Sequence, residues 1–568
     1  MPPSDIITAS PPGFWSVHSV RLQMAILLSL AMTVHGIMRA NLGMALVCMV
    51  RVYVKSEPKA LLDNTTQPTR SLNSSSDYNT AIQVDWNASS ISVMHAAFYV
   101  GMFASVIVSH RACQIVGAKR MISLGILVNI LCTWALPVVV YFAPHYLFTS
   151  FIRFLTGFAQ GFFIPCASLL IAKWFAESEK STAMAIFTTG NQAGISVAMF
   201  VTAELCKLPV LGGWPTSFFS YGCVGAIFLI FWITIGSERP RNSKRITAVE
   251  LAHIDGVGIK RRTLSVVTRT PYKKILFSPV IFSMNLCAFC QSFVLVSMIS
   301  YLPEFNRAVL GLNLSANGKW SALPFLIQVL SKIFFAFAAD SMKQRGVSVN
   351  FVTKLFNSIA SFGCAMCMLV VSLTSNGMVM LVFLCLGLSL TSGYVAGYNT
   401  SIVCVAPAYT AAVSAYGQGF SQIASILAPM VIGFVTKQGS VAAWSLVFQI
   451  LVVILFVSGV SFQFFGSANV QPWASMGLSP LGSKRDTSKG ARSEEKSLMP
   501  AAKNGTNGLE GDQEVRSSKM LLVEEEVETG SRNGSRRPSR TRVQRVSIMD
   551  ENGDVYLAGE EQKLKEPL

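Results

Sequence analysis

Residues 237–274 read SERPRNSKRITAVELAHIDGVGIKRRTLSVVTRTPYKK. The stretch 237–277 holds ten Lys and Arg residues, yet it interrupts a chain that is 51% hydrophobic and only 13% charged. A soluble protein of this length carries roughly 25% charged residues. Apolar runs of about 20 residues recur on both sides of the stretch, each long enough to cross a bilayer as a helix. They predict twelve spans, at 22–50, 91–110, 119–143, 146–173, 181–205, 216–236, 278–302, 319–340, 349–374, 377–403, 408–436 and 441–467. Six lie before the basic stretch and six after it. That division suits two six-helix halves related by pseudo-symmetry, with a substrate site near the midplane between them. The fold class is therefore an all-α membrane protein, with halves at 22–236 and 278–468, a linking loop at 237–277 and a tail at 469–568.

Lys and Arg in short connections set the orientation. Besides 237–277, HRACQIVGAKR and DSMKQR are basic, whereas 304–318 and 374–377 hold one basic residue and none. The basic loops belong in the cytosol, and twelve spans then place both termini there, including the short segment 1–21. The loop 51–90 falls on the opposite side. It carries three acceptor sequons, at Asn64, Asn73 and Asn87, in agreement with that side. The first apolar segment, 24–50, is too long for a signal-peptide core and serves as an anchor.

The formal charge of +17 does not point to nucleic acid. From 469 onward there are sixteen basic and sixteen acidic residues, so the excess charge belongs to the membrane body and faces the anionic cytosolic leaflet. The tail is rich in Ser, Gly, Asn and charge and reads as disordered. Within it, RRPS at Ser539 and RVQRVS at Ser547 suit basic-directed kinases, and EEKSLM at 494–499 resembles a sorting signal read by adaptors. No nucleotide-binding loop or Ser-His-Asp grouping occurs, which argues against an ATP-driven pump or an enzyme. The twelve cysteines sit in or beside spans and the loop 51–90 has none, so no disulfide framework is expected. CAFC (287–290) and CAMC (364–367) read as packing pairs rather than metal ligands, and no metal or organic cofactor is implied.

The charges inside the spans carry the functional reading. Arg39 falls midway along span 1, where a lone Arg costs roughly 2.5–3.5 kcal/mol on insertion scales. His35 is one turn away. His95 lies in span 2, Arg153 in span 4 and Lys332 in span 8, while Glu204, Glu304 and Asp340 fall near span ends. Helical spacing puts Thr156 and Gln160 on the face of Arg153. An interior with several cations and almost no anions of its own calls for a small anionic substrate.

The chain resembles the anion and phosphate transporter family of the major facilitator superfamily, which includes sialin, the vesicular glutamate transporters and the sodium-phosphate cotransporters. The match runs over about residues 20–475. It is carried by MRANLGMALVCMV (38–50), VDWNASSISVMHAAFYVGM (84–102), RFLTGFAQGFFIPCASLLIAKWFAESEKS (153–181), GYNTSIVCVAPAY (397–409) and QPWA (471–474). The resemblance implies the major facilitator fold and transport by alternating access. It also implies that Arg39 and Arg153 are the family's two substrate arginines, and that His95 matches a histidine of the glutamate transporters. Where sialin-like members carry glutamates linked to proton coupling, this chain has Thr156 and Gln160. Where the glutamate transporters carry a span 7 arginine, it has Gln291, and the basic residue expected after AP near span 11 is Ala408. The signature loop is degraded in SHRACQIVGAKR, although its counterpart keeps Asp340 and Lys343.

The expected mechanism closes Arg39 of the first half and Gln291, Lys332, Tyr398 and Asn399 of the second around the anion, with Thr156, Gln160 and Asp340 in coupling or gating. With no buried carboxylate to cycle a proton, the membrane potential supplies the drive, roughly 2.3 kcal/mol per charge per 100 mV. His95 adds pH sensitivity in the range from about 5 to 8. A coupling ion, Na+ or H+, is left open, with Asn191 and Gln192 as candidate ligands. The alternatives are a sodium-phosphate cotransporter and an anion sensor that binds without moving its ligand. Both the plasma membrane and an endolysosomal or vesicular membrane fit as the location.

Overall fold

The computed structural model describes residues 13–16, 18–50, 83–176, 179–243, 245–256, 271–438, 440–475, 520–526, 542–549 and 555–558. Among the described residues twelve helices are long and apolar enough to cross a membrane, and the protein is a multi-pass membrane protein. Spans 1 to 6 are Val20–Met49, Ala88–Ser109, Ala118–Phe142, Tyr146–Trp174, Thr182–Leu205 and Pro215–Ile235. Spans 7 to 12 are Pro279–Ala308, Leu314–Gln344, Val349–Leu373, Gly377–Val405, Ala412–Val435 and Val441–Phe465. Span 7 runs further than expected from hydropathy alone, so Glu304 stands inside the helix rather than at its end. Asp340 likewise falls within the last turns of span 8.

Helices are forced here because lipid offers no partner for a backbone N–H or C=O. Their starts are capped by short polar side chains: Ser19 accepts from Leu22 N, Asn87 from Ser90 N, Asn313 from Ala316 N and Asn376 from Met378 N. Each cap satisfies a donor that the helix itself leaves open. The outer faces are apolar, with Leu131, Phe142, Phe337 and Phe464 all exposed, while Asn41, Asn129, Gln160 and Gln328 are buried. That is the pattern of a bundle solvated by hydrocarbon.

The packing repeats itself. Span 1 lies against span 5, span 2 against span 4, and span 3 against spans 4 and 6. Six positions on, span 7 lies against span 11, span 8 against span 10, and span 9 against spans 10 and 12. The halves meet through span 1 with span 7, span 2 with span 11, and span 5 with span 8. The last two pairs exchange under the same two-fold operation, so the symmetry is built into the interface. The matched spans 4 and 10 are both interrupted. A turn at Phe162 separates Tyr146–Gly161 from Phe163–Trp174, and a 3-10 segment Thr391–Val395 follows Gly377–Leu390.

Spans 2 and 4 approach backbone to backbone. A Cβ on Gly157 would stand 1.8 Å from the carbonyl oxygen of Phe98, so only glycine fits. This contact places Arg153 and His95, one turn earlier on each helix, side by side.

On the face that bears Val20 and Phe465, two ionic clusters tie loops down. Arg21, 1% exposed, donates from Nε to Glu250 Oε1 at 3.0 Å and from Nη1 to Glu179. Glu250 lies in a short helix, Ala248–Gly256, inside the basic linking loop, and its oxygens also accept from Ser19 Oγ and Arg21 N at 3.1 Å. Nearby, Glu238 accepts from Lys119 N at 2.7 Å and from Lys173 Nζ. Burial pushes the Glu238 carboxyl up, but the Lys119 amide and the Lys173 ammonium outweigh it and hold the group below its ordinary range. A disulfide joins Cys113, beyond the end of span 2, to Cys166 in span 4, although no disulfide was expected from the sequence. The cysteines of CAFC and CAMC are buried in packing, with Cys287 against Asn357 and Ser458.

The chain divides at Gly482, and the part after it is described by itself. It contains a three-stranded antiparallel sheet in the order β1 (Met520–Glu526), β2 (Arg542–Met549), β3 (Val555–Ala558). Met520 pairs with Ile548 and Val546 with Ala558. These strands are the β-branched and apolar runs of an otherwise polar tail, which is the composition a strand favours. Ser547 lies in β2, while Asn64, Asn73, Ser539 and residues 494–499 lie outside the described residues.

Gly157→Val places two methyl groups where a backbone carbonyl already sits. We expect loss of the folded monomer, or destabilisation of at least about 1–3 kcal/mol, read by size exclusion and thermal melting in detergent. The Glu238 contact stabilises above the ordinary glutamate range, near pH 4.3, and is lost as pH falls through the lower folded value. Glu238→Gln should therefore melt below the wild type at pH 7, and the gap should close under acid conditions.

Candidate functional site

Spans 1, 2 and 4 bring the charged interior together. Arg153 is 4% exposed, and its guanidinium carbon lies 4.7 Å from the centre of the Phe98 ring, whose negative face attracts a cation. Arg153 and Arg39 are close enough to repel each other. Tyr99 is within electrostatic reach of both, and its hydroxyl meets the Ser300 side chain of span 7. Among the described residues neither arginine makes an ion pair or hydrogen bond. Nε and Nη2 of Arg39 and Nε of Arg153 are buried without a partner. Arg39 is only half-buried as a residue, so its side chain borders open space.

His35 and His95 flank the pair without neutralising it. The His35 ring lies 4.3 Å from the Phe163 ring, tilted to it by 46°, and both of its nitrogens are unpartnered. The His95 ring lies 5.4 Å from Tyr301 across the boundary between the halves, with Nε2 unpartnered. Tyr301 in turn donates to the carbonyl of Pro429 at 3.1 Å.

Thr156 and Gln160 share the Arg153 face, as the spacing predicts, and both are buried. Their polar groups are already used. Thr156 donates to Ile152 O at 2.8 Å, and Gln160 donates to Asn129 Oδ1 at 2.9 Å and to His35 O at 3.4 Å. A neutral amide can hold this junction of spans 1, 3 and 4 without bringing a charge near Arg153.

In the second half, the broken span 10 presents Tyr398, whose hydroxyl donates to Gln291 Oε1 at 2.5 Å, with half-buried Asn399 beside it. Lys332 is placed differently from a free cation in the pathway. Its ammonium donates to Gln192 Oε1 of span 5 at 2.7 Å, joining the halves near mid-span. That bond also occupies Gln192, one of the two candidate sodium ligands. Asp340 lies apart from the site, 66% exposed and paired with Lys343 at 3.2 Å. The pattern reading missed Tyr99, Phe98 and Ser300. Tyr99 was visible as the residue one turn after His95 in HAAFYVGM, but nothing in a single sequence pairs it with span 7.

The halves are sealed on the face opposite Val20. Arg307 donates to Val47 O; Ser315 donates to Glu204 Oε1 at 2.7 Å, and Lys207 reaches both; Ser196 donates to Ala322 O at 3.1 Å. A Cβ on Gly43 would stand 2.6 Å from Ile299 O, so spans 1 and 7 touch through backbone there.

Two pseudo-symmetric six-helix halves, interrupted at matched spans, have the architecture of a membrane transporter. The chain belongs to the Major Facilitator Superfamily, whose family model matches residues 28–429. Its relatives fall in the anion and phosphate transporter family of that superfamily. An uncharacterized transporter of Caenorhabditis elegans, slc-17.3, is 29% identical over 68% of this chain and 73% of its own length. Vesicular glutamate transporter 1 of Bos taurus is 26% identical over 69% of this chain and 70% of its own. The fold is also that of the xylose transporter XylE from E. coli in its inward open conformation, with TM-score 0.58, 12% identity and coverage of 78% of this chain and 96% of that one. A bacterial homolog of the lysosomal transporter Spinster, inward-facing and unoccupied, matches with TM-score 0.57 at 14% identity, over 80% and 99% of the two chains.

Lys332→Met removes a charge-assisted hydrogen bond between the halves, worth about 1.5–3 kcal/mol. The closed far face should loosen by roughly tenfold or more in the conformational equilibrium, read as faster labelling of a cysteine introduced at Ser196.

Proposed function

We propose that the protein carries a small anion across its membrane by alternating access, with Arg39 and Arg153 as the substrate's counter-charges. One observation carries the reading: buried Arg153 and half-buried Arg39 hold N–H donors that are buried without a partner, and among the described residues no carboxylate pairs with either. Donors in that state are costly in a low-dielectric interior, and a bound carboxylate or phosphate satisfies them through paired hydrogen bonds. Tyr99, Ser300, Gln291, Tyr398 and Asn399 supply neutral contacts that select the anion's shape. The vesicular glutamate transporters among the relatives are consistent with an organic anion.

Coupling follows from the same residues. The positions next to Arg153 that would offer a protonatable carboxylate are Thr156 and Gln160, both neutral and both already hydrogen-bonded. The proposed drive is therefore the membrane potential acting on the anion's own charge. The far-face contacts hold the site closed to the compartment of the 51–90 loop, and substrate leaves toward the cytosol in this state. The loop bears N-glycans, both chain ends are cytosolic, and kinases or adaptors act on the tail.

The test is uptake into proteoliposomes under an imposed inside-positive potential, with and without a pH gradient and with sodium replaced. Glutamate, aspartate, sialic acid, urate, phosphate and a nucleotide form the panel. We expect one of them to be taken up in response to potential alone. Arg39→Ala or Arg153→Ala should weaken uptake by about tenfold to a hundredfold, the equivalent of one charged hydrogen bond of 1.5–3 kcal/mol. Uptake that needs a proton or sodium gradient overturns the coupling scheme, and binding without any uptake overturns the carrier.

A further inference from the structure

We infer that Cys48 and Cys206 form a disulfide on the non-cytosolic side, pinning the far end of span 1 to the far end of span 5. Cys48 is the second-last residue of span 1 and Cys206 caps the end of the span 5 helix. Both are buried, 1% and 4% exposed, and their thiols are in hydrogen-bonding contact.

The two spans run parallel in a fixed register that leads to this contact. A Cβ on Gly190 would stand 2.2 Å from Ser29 O, and one on Gly194 would stand 2.3 Å from Thr33 O. Further out, Thr202 donates to Asn41 Oδ1 at 2.9 Å, with the same offset of 161 residues. Glycines let the helix backbones approach closely, and the register then delivers Cys48 and Cys206 side by side. Close Cα approach with side chains pointing at one another is what a disulfide needs.

The far face is where such a bond persists. Residues 51–90, which follow Cys48 after Met49 and Val50, hold the three sequons and belong in an oxidising compartment, where a disulfide persists. Two thiols become one disulfide with loss of two protons and two electrons. These pass by thiol–disulfide exchange to a disulfide-bearing oxidant of the secretory lumen, which leaves as two thiols. Once the helices have packed, burial keeps reductants away. The bond makes spans 1 and 5 move as one body. Opening of the far face then occurs between the halves, at the Arg307–Val47 and Ser315–Glu204 contacts, and not within the first half. The inference rests on the topology in which the 51–90 loop is non-cytosolic.

The test uses the full chain expressed in a eukaryotic secretory host, alkylated with N-ethylmaleimide at lysis, denatured without reductant, digested and read by mass spectrometry. We expect the Cys48 and Cys206 peptides to be recovered joined, two hydrogens lighter than the separate thiols. The Cys48→Ser variant should release Cys206 for alkylation. The same digest reports whether Asn64 and Asn73 carry glycans. Recovery of both wild-type thiols in alkylated form overturns the inference. With glycans present the pairing is wrong; with bare sequons the topology beneath it is wrong.

Discussion

A pair of guanidinium groups that the protein itself does not neutralise governs this molecule. Arg39 and Arg153 lie in the interior of a bundle that hydrocarbon solvates from outside, and among the described residues the structure sets no carboxylate against them, only groups such as the Phe98 ring face and the Tyr99 hydroxyl. Charge in that position is tolerated where it meets a water-filled path or a ligand. The helix packing serves that purpose. Glycine contacts bring spans 2 and 4 to backbone distance, which sets Arg153 beside His95. Span 1 is held against span 5 in the same way, which aims Arg39 inward.

The two halves treat polar residues differently. In the first half two amides near the arginines are held by helix-to-helix bonds, Gln160 to Asn129 and Asn41 to Thr202 and Ser217. In the second half the interrupted span 10 leaves Asn399 half-buried and lets the Tyr398–Gln291 pair face the midplane. The first half therefore supplies fixed charge and the second supplies adjustable hydrogen bonding. Lys332 changes sides in this arrangement. As a sequence element it looks like a third cation for the substrate, but its ammonium is spent on Gln192 and works between the halves.

Closure at the far face rests on contacts that are individually weak. Hydrogen bonds across it, such as Ser315 to Glu204, contribute about 0.5–1.5 kcal/mol each. Close backbone packing at Gly43 adds to these small contacts. The ionic cluster of Arg21, Glu179 and Glu250 is of another kind. It is largely buried and joins the linking loop to the first half, and removing Arg21 would leave two carboxylates without their shared counter-charge.

Hydropathy and charge placement determined the spans, the six-plus-six division and the buried arginines, because a bilayer imposes a length and polarity rule that acts residue by residue. The face shared by Arg153, Thr156 and Gln160 was also legible, since helical spacing is local. Other features depended on contacts between segments far apart in the chain. The place of Tyr99 between the two arginines, the capture of Lys332 by Gln192, the Cys113–Cys166 bond and the role of Glu250 in a loop read only as basic all belong to that group. The extra turns that bring Glu304 into span 7 were hidden for a related reason: polar residues inside a bundle are sheltered by neighbouring helices, and a hydropathy pattern reads only the helix it is on. Which residues lie on a helix is written along the chain; which of them meet is decided by packing.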